Sequence, residues 1–254
     1  DDASVSPPIV WPQVTIDHVV VDSTGAAIVA GRFSGTIDLG DGPVTAVEGV
    51  DGFTAKVTPA GDVTWLRTYG SPSDDEMTGL ALLPDDSVIV LGSVAGAIDL
   101  GGGPLDARSD SRTLFVARYA ADGAYVWAKR WSSDVGMSSA QYPVVSEDGA
   151  IYLVGGFTGG TTIDQFAFTF PWDAVLVKLA SDGRVLWAHT VREPAPTTEA
   201  FYTVAGIALR GDDVVLTGWA SQGDDLGTGP LPQGHYVLVR AADEMAVAIG
   251  GRRG

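Results

Sequence analysis

Four kinds of side chain in this sequence are of a type that could do chemistry. Histidine, which ionises nearest neutral pH, occurs at His18, His189 and His235. The three fall at unrelated phases of the chain, with no Gly-x-Ser-x-Gly elbow, His-Glu-x-x-His pair, phosphate-binding loop or dinucleotide glycine fingerprint beside them. The residues therefore assign no catalytic group, and no enzymatic activity is expected. Asp74-Asp75-Glu76 offers clustered carboxylates to a hard cation, without the alternating spacing of a calcium loop. It is the candidate metal site, with Ca²⁺ as the candidate cofactor, and a solvated acidic loop is the simpler alternative. Four cations, Lys56, Arg118, Lys178 and Arg240, recur at intervals of 62, 60 and 62 residues, each with an acid upstream: Asp38, Asp99, Asp164, and Asp224 or Asp225. One ion pair per repeat is expected, because buried cations are normally paired; a ring of free cations that binds an anion is the alternative. Tryptophan divides into two sets. Trp65, Trp127 and Trp187 recur at 62 and 60 residues and read as core, whereas Trp131, Trp172 and Trp219, with Phe170 near Trp172, do not recur and are the candidate contacts to a ligand or partner.

Charge and composition narrow the partners. With 15 basic against 32 acidic side chains the net charge is −17, a field that repels nucleic acid and anionic membranes. The chain has no Cys, which excludes disulfides, thiol catalysis and cysteine-ligated metals. Its longest nearly uncharged apolar stretch, Val88 to Ile98, is too short to span a bilayer, which takes about 18 residues or more. A soluble protein without membrane insertion is expected. The sequence opens on Asp-Asp in place of a basic and then apolar leader, so any secretory signal is expected to have been removed already.

The elements that carry these residues follow from self-similarity. Gly31, Gly92, Gly155 and Gly218 each end a short apolar run, at intervals of 61, 63 and 63 residues. Glycine, tryptophan and cation thus share one period of about 62 residues, and a single domain over 1–254 is expected, with units near 15–70, 77–131, 140–191 and 202–250. Each unit holds four runs rich in β-branched residues. Tight Asp/Gly turns separate the first run from the second (Asp22 to Gly25, Pro84 to Asp86, Glu147 to Gly149, Gly211 to Asp213) and the third from the fourth (Ala60 to Asp62, Ala121 to Gly123, Ser181 to Gly183). No window keeps a helical period. The expected class is all-β: a β-propeller of four four-stranded antiparallel blades, closed as a monomer, paired into an eight-bladed ring by two chains, or left as an open array. Residues 1–14, which include Ile9-Val10-Trp11, are expected to supply a closing strand.

The pattern of Asp22 to Gly35, Ile37 to Gly40, Asp51 to Val57 and Gly61 to Trp65 resembles the SBBP-type β-propeller repeats of bacterial extracytoplasmic proteins, which are frequent in myxobacteria. The resemblance covers the chain after its first dozen residues and carries no catalytic motif. The family name implies seven units where this chain has four. What the resemblance implies is a secreted, cell-surface or periplasmic propeller. Together with the residues it leads to an expected role as a non-catalytic interaction or assembly module with a protein or glycan partner, and homo-oligomers among its possible assemblies. The alternatives are a carbohydrate-binding module using the non-recurring aromatics, and a hydrolase or lyase with a carboxylate site.

One end of the sheets is expected to carry the partner. The tight turns lie together at one end; the longer connections, Gly35 to Gly52, Gly96 to Arg112, Gly159 to Asp173 and Gly223 to His235, lie at the other and differ in every unit. Unlike loops on a rigid frame are where binding usually resides.

Overall fold

The computed structural model describes residues 13–40, 42–105, 113–131, 139–191, 203–211, 213–220, 234–241 and 247–249. No helix occurs among them. The strands group into four antiparallel sheets, each in simple sequential order. Sheet 1 holds β1 (Val14–Val21), β2 (Ala27–Asp38), β3 (Pro43–Val57) and β4 (Val63–Tyr69). Sheet 2 holds β5 (Glu76–Leu82), β6 (Val88–Val94), β9 (Thr113–Tyr119) and β10 (Tyr125–Trp131), with a small hairpin of β7 (Ile98–Asp99) and β8 (Pro104–Leu105) between β6 and β9. Sheet 3 holds β11 (Ser139–Val145), β12 (Ile151–Ile163), β13 (Phe166–Leu179) and β14 (Val185–Thr190). Sheet 4 holds β15 (Thr203–Arg210), β16 (Asp213–Ala220), β17 (Gly234–Ala241) and β18 (Val247–Ile249). Val14, expected in a closing strand, belongs to β1; residues 1–12 lie outside the described residues.

The sheets stack face to face because their inner strands are apolar on both sides. In β6, Val88 and Val90 enter the core shared with sheet 1, while Ile89 and Leu91 enter the core shared with sheet 3. In β12, Ile151 and Leu153 face sheet 2, and Tyr152 and Val154 face sheet 4. Strands buried on both faces read as unbroken apolar runs, as they do here. Each such side chain contributes about 1.5 to 3 kcal/mol relative to exposure. The first strand of every sheet carries a bulge at a matching place, Ile16/His18, Met77/Gly79, Gln141/Val144 and Val204/Gly206. Consecutive first strands touch: β1 meets β5, β5 meets β11 and β11 meets β15. On the outer side of β1, Ile16, Val19 and Val21 are about 60% exposed, while Phe53 and Ala55 on the same side of sheet 1 are fully buried.

Sheets are joined at the tight-turn end by one repeated device. The Ala121 carbonyl, in the turn between β9 and β10, accepts from Lys56 Nζ at 3.1 Å and Trp65 Nε1 at 3.2 Å, both on sheet 1. One sheet further on, the Ser181 carbonyl accepts from Arg118 at 2.8 Å and Trp127 Nε1 at 2.9 Å. Trp65 lies directly opposite Lys56, Trp127 opposite Arg118 and Trp187 opposite Lys178, so the cation and the indole stand side by side on the face toward the next sheet. Trp187 Nε1 is buried without a partner among the described residues, and the turn it would meet, 242–246, lies outside them.

The same turns require glycine for two separable reasons. Gly61, Gly123 and Gly183 all have positive φ, at +94°, +82° and +86°. A Cβ at Gly123 would also come within 2.6 Å of the Trp65 ring, and one at Gly183 within 2.8 Å of Trp127, whereas a Cβ at Gly61 meets nothing within 4 Å. Gly61→Ala is expected to cost about 1 kcal/mol, the backbone term alone. Gly123→Ala and Gly183→Ala should cost about 1 to 3 kcal/mol more, from forcing the indole away. Urea unfolding of the three variants checks this; equal losses at all three positions would mean that the tryptophans are not seated as described.

Candidate functional site

Two of the recurring cations, Lys56 and Arg118, are paired with acids other than Asp38 and Asp99. Lys56 Nζ lies 2.7 Å from Asp22 Oδ2, and Arg118 lies 2.6 Å from Asp85 Oδ2; both acids belong to the turn between first and second strands. Asp22 also accepts from Thr24 N, Thr24 Oγ1 and Ala26 N, and Lys56 first, then Thr24, hold its carboxyl far below the usual range. Lys178 stands 5.2 Å from the centroid of the Tyr152 ring. The acids expected to pair are used elsewhere. Asp38 caps Gly40 N, and Asp99 caps Gly101 N and Gly103 N, at the far end of the sheets. Arg240 breaks the series. The marker glycine pairs with the residue three before the cation in sheets 1 to 3 (Phe53, Phe115, Val175) but with Tyr236, four before Arg240, in sheet 4. Arg240 therefore stands one residue out of step, opposite Val214.

At the end away from the tight turns, β2 and β3 run on together as a hairpin arm as far as Asp38 and Pro43, and β12 and β13 do so as far as Ile163 and Phe166. Two of the expected loops are thus strand-paired arms, and β7 and β8 form a third projection. Each arm is tied to its neighbour by carboxylates. Asp164, at the tip of the sheet 3 arm with φ of 51°, accepts from Lys129 Nζ at 2.6 Å and from Trp131 Nε1 at 3.2 Å on sheet 2. Trp131 is 3% exposed within the core between sheets 2 and 3, so its ring presents no open face. Phe170, Trp172 and Trp219 take register positions opposite Gly159, Thr158 and Thr203; their side chains lie outside the described residues.

The acidic run is divided by its surroundings. Asp75 is buried; its N–H donates to the Val50 carbonyl at 2.7 Å, and its carboxylate accepts from Ser71 N and Ser71 Oγ at 2.6 Å each. Asp74 Oδ1 accepts from Val50 N at 3.1 Å. Asp51, also buried, accepts from Val47 N at 2.9 Å, and its Oδ1 has no hydrogen-bond partner. Burial pushes the Asp75 carboxyl up to about 6, the Ser71 hydrogen bonds oppose this, and the neighbouring Asp51 charge adds to it. Burial raises Asp51 as well. Among the described residues no three acidic or imidazole groups converge as a metal site, and the Asp75 carboxylate is occupied by Ser71. The cluster clamps the sheet 1 arm to β5. Sequence reasoning did not single out Asp51 or Ser71, since nothing local distinguishes a buried acid in so acidic a chain.

Two hollows remain. One, of about 190 Å³, is lined by Gln13, Thr15, Arg32, Phe33, Ser34 and Val50 on sheet 1. The other, of about 470 Å³, lies between sheets 3 and 4 at the tight-turn end, beside Glu147, Asp148 and Gly211. His18 is half-buried and donates to the Met77 carbonyl at 3.3 Å; His189 stacks 5.1 Å from Trp187; neither lines these hollows. No protein-family model matches the chain, and no curated protein is similar to it in sequence.

The clamp has a pH signature. Because the folded protein holds the Asp75 proton more tightly than the unfolded chain does, this group's contribution to stability falls as pH rises from about 4 to about 6 and stays low above that. Asp75→Asn should therefore gain on the wild type steadily across that window in chemical denaturation. A stability difference independent of pH between 4 and 7 would show that Asp75 titrates normally.

Proposed function

We propose that this chain is a non-catalytic interaction module, a four-sheet scaffold of propeller type that binds its partner at the end bearing the arms. The observation that carries the reading is the contrast between the two ends. At one end near-identical turns are locked by shared carbonyls; at the other, projections of unlike length rise from sheets 1, 2 and 3. A rigid frame that presents unlike projections lowers the ordering cost of binding. The exposed Val47 on the sheet 1 arm adds apolar surface there. The resemblance to SBBP-type repeats supports a place outside the cytoplasm and a protein or glycan as the partner.

Photo-crosslinking side chains placed at Glu48 and Thr162, both exposed on arms, compared with Thr24 and Asp122 at the turn end, test this against the surface fraction of the producing cells. Crosslinks from the arm positions alone are expected. Crosslinks confined to the turn positions would overturn the assignment, and binding to a glycan array without any protein adduct would replace a protein partner by a carbohydrate.

A further inference from the structure

The face of sheet 1 turned toward sheet 2 changes character along its length. Toward the tight turns it carries Ile28 and Ala30, both in the core shared with sheet 2, with Val20 packed against them. Past Gly31 it turns polar. Thr15 stands opposite Arg32, and Ser34, whose N–H donates to the Gln13 carbonyl at 3.0 Å, follows two residues on and so lies on the same side. These four residues, with Val50 opposite Ser34, line the hollow of about 190 Å³ at the foot of the sheet 1 arm. One register position beyond the marker glycine the four sheets hold Arg32, Ser93, Gly156 and Trp219. A constant position is thus followed at once by one that differs in every sheet.

The polar groups around the hollow are uncommitted. Arg32 uses its Nε, which donates to Asp17 Oδ2 at 3.1 Å, and its two terminal NH₂ groups have no partner among the described residues. The same holds for the Thr15 and Ser34 hydroxyls, the Gln13 side-chain amide and Asp17 Oδ1. The side chains of Arg32 and Asp17 are 43% and 24% exposed, so both are within reach from solvent. Together these groups offer donors and acceptors alike. Asp17 offsets the guanidinium charge, and a net charge of −17 disfavours an anionic ligand. Size narrows the ligand further: a cavity of about 150 Å³ holds benzene, whereas drug-sized ligands fill about 300 to 1,000 Å³. The hollow therefore takes one six-membered ring. A neutral pyranose meets all of these conditions, because each of its hydroxyls both donates and accepts, and adjacent hydroxyls suit an arginine beside an aspartate.

We propose that the hollow bounded by Gln13, Thr15, Arg32 and Ser34 binds one neutral sugar residue of a glycan, with Arg32 and Asp17 at its ring hydroxyls. This rests on the reading of the arm end as the binding end, and it gives that end a ligand class. Phe33, the aromatic residue at the hollow, is buried and edge-on to Phe53, so hydrogen bonds rather than stacking hold the sugar. Affinity for a single sugar is therefore low, and firm binding needs the arms to engage the rest of the partner as well.

NMR titration with the methyl glycosides of glucose, galactose, mannose, fucose and N-acetylglucosamine, and separately with glucuronic acid, tests this by following Arg32 Nε–H and the backbone amides of Thr15 and Ser34. At least one neutral glycoside should shift all three signals saturably. Arg32→Lys, which keeps the charge, should bind that glycoside about tenfold more weakly, and Thr15→Val, which keeps the branched shape, about fivefold, as loss of a charged and a neutral hydrogen bond requires. Thr15 is exposed and Arg32 half-buried, melting curves establish that each variant is folded, and either variant decides alone. No shift with any neutral glycoside, shifts confined to other residues, binding of glucuronic acid alone, or a folded Arg32→Lys variant that binds as well as wild type would overturn the proposal. Crosslinks from the arms alongside such a result would keep the binding end and remove only its ligand class.

Discussion

A peptide oxygen has two lone pairs, and the docking of sheet 1 on sheet 2 and of sheet 2 on sheet 3 depends on both being used at one carbonyl in each interface. At Ala121 and Ser181 a cation and an indole N–H arrive together from the preceding sheet. Hydrogen bonds from charged donors contribute about 1.5 to 3 kcal/mol each, more than neutral ones, and a buried indole N–H left unpaired would cost a comparable amount. The two donors are cross-strand neighbours, Lys56 with Trp65 and Arg118 with Trp127, so the third and fourth strands must be in register before either can reach. Pairing within one sheet is thereby linked to docking on the next. The flat tryptophan ring needs a place without a Cβ, which the turn glycine provides while also adopting the positive φ that closes the turn.

Everything at the opposite end is free to differ because this end does not. Sheets 2 and 3 bury both faces and spend their side chains on packing, which leaves the arms of sheets 1 and 3 and the β7–β8 hairpin to vary in length. The sheet 3 arm is anchored by apolar packing, with Ile163 buried and Phe166 and Phe168 against the same core, and by Asp164, which holds Lys129 and Trp131; at the sheet 1 arm the Asp74 carboxylate accepts from Val50 N and the Asp75 N–H donates to the Val50 carbonyl. Burying Asp51 and Asp75 near each other is costly, as their raised pKa values show. Such a cost persists only where the surrounding structure fixes the groups in place, and here it sits at the join between an arm and the next sheet.

The parts legible in the sequence were those governed by local chemistry. Runs of valine and isoleucine became strands, Asp/Gly turns closed where glycine permits positive φ, and Trp65 entered the core between sheets 1 and 2. What was not legible required knowing which ends of the strands come together. Asp38 and Asp99 share a phase with the cations along the chain but lie at the other end of the strand, about 3.3 Å away per intervening residue. Arg240 keeps the period in number yet loses it in register, because the fourth sheet pairs Gly218 with a residue one step earlier. Trp131 stood out because it does not recur, and its surroundings are equally particular: the arm of sheet 3 brings an aspartate, Asp164, to its indole.

The account rests on the two indole N–H groups being held at the turn carbonyls, and hydrogen exchange at Trp65 Nε1 and Trp127 Nε1, followed by NMR on protein labelled at tryptophan, tests that most directly. Both are expected to exchange only through global unfolding, with the same opening free energy as the backbone amides of the fully buried Val90 and Leu91. Exchange at the rate of a solvent-exposed indole, while those amides stay protected, would contradict it and mean that the sheets are held by apolar packing alone.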